Sequence, residues 1–150
     1  MNRNFKFISR VEIRYGEQIY DLHNNYEVSS IRLDVDRSQL QLRLRALPGL
    51  APKGLVALDF DNLIELEFFG NFGGRGVSGI ADIGFKGASD FDYEWLSNEE
   101  QSKTDDRLVI CFDNDALFRV YSKSARFIVL DTSSIKAQEL DNQCAGQSRW

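Results

Sequence analysis

The chain has 150 residues, 43% hydrophobic with only two prolines, enough for one domain whose continuous core needs neither metals nor disulfides. Its net charge of −5 is unevenly placed: residues 1–53 carry nine Lys and Arg against six Asp and Glu, residues 54–115 four against fourteen, and residues 116–150 five against three. The acidic middle disfavours nucleic acid, whose phosphates need cations, and suits a basic partner, although acidic loops also serve solubility.

The N-terminal stretch "MNRNFKFISRVEIRYGEQ" breaks every apolar run with charge or amide, so it offers no signal-peptide core and no membrane anchor. One or two strands are predicted within "FKFISRVEIRY". "YEVSSIRLDV" alternates Ile31, Leu33 and Val35 on one side, "DRSQ" supplies turn residues, and "LQLRLR" places Leu40, Leu42 and Leu44 opposite Gln41, Arg43 and Arg45. A hairpin over residues 26–47 follows. After the proline-bearing connection "LPGLAPKG", "LVALDF" turns Val56, Leu58 and Phe60 inward, Asp61 and Asn62 read as a turn, and "LIELEFF" turns Ile64, Leu66 and Phe68 inward.

Residues 70–90, "GNFGGRGVSGIADIGFKGASD", contain Gly74, Gly76 and Gly79 in the G-x-G-x-x-G spacing of dinucleotide sites. That chemistry needs a helix directly afterwards, whose free backbone N–H groups hold the pyrophosphate. Gly84 and Gly87 speak against one, so the stretch reads as a glycine-rich connection or bulged strand, with Arg75 as its exposed charge. "DFDYEWL" then alternates Phe91, Tyr93 and Trp95 against Asp90, Asp92 and Glu94, a strand-like aromatic face opposite an acidic one. "WLSNEEQSKTDDR" is expected to be a mobile loop. "RLVICF", "ALFRVYS" and "ARFIVLD" follow as strands, separated by turns at "DND" and "SKS". From Thr132 a short helix through "IKAQEL" is expected, with fraying from about residue 141.

These patterns predict an all-β chain: a single-domain antiparallel β-sandwich or barrel of seven to nine short strands with at most a short C-terminal helix. The longest apolar run, "LVICF", is far below the roughly 20 residues of a spanning helix, so no membrane role is expected. Cys111 and Cys144 lack metal or disulfide spacing and suit a reducing cytoplasm, with a leader-dependent periplasmic location as the alternative.

No catalytic, cofactor or metal site is predicted. "DFDNLIE" and "DNDALF" begin like calcium loops, but each has Leu at the fifth position and lacks glycine at the sixth. His23, the only histidine, has Asp21 nearby but no nucleophile elbow, and reads as a structural or surface imidazole. The acids are too numerous for any pair to single itself out. The aromatics amid carboxylates carry more information, since exposed rings supply desolvated contacts while acids steer a basic protein. Core packing is the competing reading of the same rings. The candidate binding residues are Asp90, Phe91, Asp92, Tyr93, Glu94, Trp95 and Arg75.

"LHNNYEVSSIRLDV", "LQLRLRA" and "GLVALDFDNLIELEFFG", over residues 20–70, resemble the hydrophobic rhythm of small all-β immunity proteins of bacterial polymorphic-toxin systems. The resemblance implies binding to a cognate toxin without catalysis, and transfers no site residue. The expected function is non-enzymatic protein binding; the alternative is a β-barrel or sandwich that encloses a small apolar or sugar ligand. The oligomeric state stays open.

Overall fold

The computed structural model describes residues 1–50, 54–70 and 77–130, and these contain ten strands and no helix. In chain order they are β1 (Asn2–Arg3), β2 (Lys6–Phe7), β3 (Glu12–Tyr15), β4 (Gln18–Asp21), β5 (Tyr26–Asp34), β6 (Gln39–Ala46), β7 (Leu55–Phe69), β8 (Ile80–Lys86), β9 (Arg107–Phe112) and β10 (Leu117–Leu130). Six follow one another in a sheet ordered β5-β6-β7-β10-β9-β8, and β1 joins as a seventh, parallel to β10. This otherwise antiparallel sheet curls into a half-barrel, and β2, β3 and β4 form a small second sheet. The all-β expectation holds.

The β5–β6 hairpin forms where the alternation places it, with Ile31 opposite Leu42 and Leu33 opposite Leu40. Its turn is closed by the Asp34 carboxylate, which accepts from the Arg37 N–H, and by Ser38 at φ 50°. Leu40, Leu42, Leu44, Val56, Leu58 and Phe60 are buried on the concave face, as their period of two demands. Leu33 and Val35 stay exposed because β5 lies at the end of the sheet.

Two expected turns are absent. Asp61 and Asn62 lie inside the 15-residue β7, and "SKS" lies inside the 14-residue β10. Asn62 takes φ 53°, a conformation asparagine tolerates better than most residues, so the chain continues as a strand. Beside it the register skips Ile64: Glu65 faces Tyr121 and Leu63 faces Ser122. This bulge defeats simple alternation. Leu63 and Leu66 pack on the core, whereas Ile64 is 59% exposed and Phe68 46%, against the expectation that Ile64 and Phe68 turn inward. β10 changes phase over the same stretch, with Phe118 and Val120 buried in its first half and Ala125 and Phe127 in its second.

The small sheet fills the concavity. Phe5, Phe7, Ile13, Tyr20 and Leu22 join the core cluster, with the Tyr20 and Phe127 rings 4.7 Å apart. Asn4 fastens the N-terminus to β10, its side chain accepting from Phe127 N at 2.8 Å and donating to Phe127 O at 3.1 Å. Burial pushes the Tyr26 hydroxyl up to about 12. Within residues 95–107, expected as a loop, Glu99 accepts from both terminal guanidinium nitrogens of Arg3 and from the Phe7 N–H. The C-terminal helix and frayed tail lie outside the described residues.

Candidate functional site

β9 reads as a continuous apolar run because it is covered on both faces. Leu108, Ile110 and Phe112 belong to the concave core, while Val109 joins Leu96 and Leu117 in a second cluster flanked by Tyr93 and Cys111. The segment from Gly87 to Ser97 builds that outer cover. It leaves β8, crosses the outer surface, and returns to pair Ser97 with Phe85 by two backbone hydrogen bonds. The crossing is so close that a Cβ on Gly84 would lie 2.5 Å from Leu96 Cβ and 2.8 Å from Ser97 O.

"DFDYEW" is therefore not a strand but a loop held by local turns. The Asp90 carboxylate accepts from Asp92 N–H at 3.0 Å, and that of Asp92 from Glu94 N–H at 3.0 Å. The alternating carboxylates that suggested a strand serve as successive turn acceptors. Hydrogen bonding from the Asp92 amide, and then from Lys86, holds the Asp90 carboxyl below its ordinary range.

Two buried cations underlie this loop. Arg119 projects from the outer face of β10, where its register partners are Glu67 and Val109, and it is fully buried. Its guanidinium donates to Gly87 O at 2.8 Å and to Ala88 O, lies 3.5 Å from both Glu67 Oε2 and the Tyr93 hydroxyl, and stacks under the Phe91 ring at 4.6 Å. Lys86, also buried, reaches Asp90 at 3.2 Å and lies 5.6 Å from the Trp95 ring centroid. The outer surfaces of both rings remain open: Phe91 is 56% and Trp95 55% exposed, while Tyr93 is half-buried against Phe69. The site thus presents two aromatic rings fixed from beneath, with Asp92 and Glu94 exposed between them in the chain and Asp90 exposed just before Phe91.

No family model, curated protein or solved structure matches the chain.

Six of the seven sequence-predicted residues, Asp90 through Trp95, fall in this one loop; Arg75 lies outside the described residues. Sequence reading missed Arg119 and Lys86, whose only signals were a lone cation in the apolar stretch "ALFRVYS" and a lysine between glycines in "GFKG". Gly74 and Gly76 also lie outside the described residues, and Gly79 leads into strand β8 rather than a helix. A register shift between Ile80 and Asp82 makes that strand bulged. His23 is exposed, with Nδ1 2.7 Å from Ile80 O and its N–H donating to Asp21. Asp59 and Asp61 accept from Gln41 and Gln39 on the outer face of the sheet. Burial pushes the Cys111 thiol up to about 11, so at neutral pH it stays protonated. Among the described residues, no cluster of His, Cys, Asp or Glu is arranged to hold a metal ion, and no helix is long and apolar enough to cross a membrane.

Proposed function

We propose that this protein is a non-enzymatic binding domain that recognises a basic protein through the loop Asp90–Trp95, and that it acts as a cytoplasmic bacterial immunity protein toward a toxin. The observation that carries the reading is the pair of half-exposed rings, Phe91 and Trp95, each seated on a buried cation within an acidic loop. Rings held in place lose little conformational freedom when a partner covers them, which favours their use as anchors. The surrounding carboxylates favour approach of a positively charged surface. The concave face is filled by the side chains of both sheets, which leaves the outer loop as the better supported site.

The test is to purify the products of the genes that flank this chain's gene and measure their binding, a basic protein among them being the expected partner. Phe91→Ala and Trp95→Ala should each raise Kd about tenfold or more, as expected of central aromatic anchors. Asp92→Asn with Glu94→Gln keeps the turn acceptor at position 92 but removes two charges, and should slow association and flatten its salt dependence. Unchanged binding by all these folded variants would overturn the proposal.

A further inference from the structure

The two ends of the main sheet are treated differently. At β8 the free edge is covered: Ile83 N–H donates to Arg10 O at 2.7 Å, and Phe85 exchanges backbone hydrogen bonds with Ser97. At β5 the Val28 N–H reaches Ser78 O at 2.8 Å, but from Ser30 onward no described residue pairs with the outer edge. A row of unpaired backbone groups is a template for another strand.

The outward-facing residues can be assigned. Leu47 N–H donates to Asn25 O on the β5 side and Ala46 N–H donates to Gly54 O on the β7 side, so along β6 the odd residues address β5. Their partners, Arg43 with Ser30, Gln41 with Arg32 and Gln39 with Asp34, turn their backbone groups inward. Ile31 and Leu33 therefore present N–H and C=O outward, in keeping with Val28 and the bulge at Ser29.

We propose that this edge pairs with the same edge of a second copy of the chain, antiparallel and centred on Leu33. The sequence "IRLDV" is self-complementary in that register: Leu33 meets Leu33 and Arg32 meets Asp34 on both sides of the two-fold axis, with Ile31 facing the side chain of Val35, the first turn residue, whose C=O already accepts from Ser38 N–H. Leu33 and Val35 are exposed, at 46% and 75%, and Leu33 lies on the face of its register partner Leu40, so the pairing extends the apolar concave face across the axis. The Arg32 side chain makes no hydrogen bond or ion pair with a described residue, and the Asp34 carboxylate has only a 3.8 Å contact with the Arg37 guanidinium besides its turn bond. Centring on Arg32 or Asp34 would set like charges opposite each other, and centring on Ile31 would run into the bulge. Charge thus selects both the partner and the register. The proposal is independent of the Asp90–Trp95 loop, which lies on the outer face at β8, β9 and β10.

Sedimentation equilibrium of the full chain at micromolar to sub-millimolar concentration tests it. The wild type should dimerise. Arg32→Asp should raise the dimer dissociation constant about tenfold or more, and Asp34→Asn, which keeps the acceptor for the Arg37 N–H but removes the charge, should raise it by a smaller factor. Leu33→Pro, which removes an outward N–H without breaking the β5–β6 ladder, should leave a folded monomer by circular dichroism. A wild-type monomer throughout, or a dimer unaffected by Leu33→Pro and Arg32→Asp, overturns the proposal.

Discussion

Arg119 shows how one side chain can organise a surface. A guanidinium without solvent exposure is tolerated because two backbone carbonyls, the Glu67 carboxylate, the Tyr93 hydroxyl and the face of Phe91 surround it, although its Nε finds no hydrogen-bond partner. Arg119→Met should lower unfolding free energy in urea by about 3 kcal/mol, because the Gly87 and Ala88 carbonyls lose their donor and the buried oxygen of Glu67 loses its ion-pair partner. Adding Glu67→Gln should recover part of that loss, and amide exchange over residues 87–97 should rise more than elsewhere in the single variant. Gly84 makes the complementary case. Its missing Cβ is what permits the loop to approach β8, so Gly84→Ala should cost about 2 kcal/mol by thermal unfolding and loosen the Phe85–Ser97 bridge.

Among the elements, β7, β9 and β10 are joined across their outer face as well as through their ladders. Arg107 in β9 donates to both carboxylate oxygens of Glu65 in β7, at 3.2 and 2.7 Å, and its guanidinium stacks on Tyr121 of β10 at 4.4 Å. The hydrogen bond from Arg107 holds the Glu65 carboxyl below the ordinary glutamate range, despite partial burial. Because the folded state binds the proton more weakly than the unfolded state, this contribution is complete above the ordinary glutamate range. It is lost as pH falls through the lowered folded value. Melting temperature should decline on acidification below about pH 5, and Glu65→Gln should flatten part of that decline while lowering stability at neutral pH. An unchanged acid profile in the variant would assign the loss to other carboxylates.

Across the whole molecule, much of the fold follows from period-two alternation, because a half-buried strand must place apolar side chains on one face. Leu40, Leu42, Leu44, Val56, Leu58 and Phe60 reveal their burial and their strands without any coordinates. The reading failed where a strand is longer than its local signals: Asn62 and "SKS" carry turn chemistry, yet pairing with neighbouring strands carries the backbone straight through them. It failed again at "DFDYEW", whose alternation comes from carboxylates capping consecutive turns rather than from a pleat. The location of the candidate site was legible, since aromatic and acidic residues adjoin in the chain. Its construction was not, because Arg119 lies more than twenty positions beyond the rings it supports and meets them through strand register. Local side-chain chemistry was enough to establish the all-β class, the inward faces of β6 and of the first half of β7, and the acidic, aromatic character of residues 90–95. Long-range pairing settled which edge of the sheet no described residue covers and which rings stay exposed, because both depend on contacts between residues far apart in the chain.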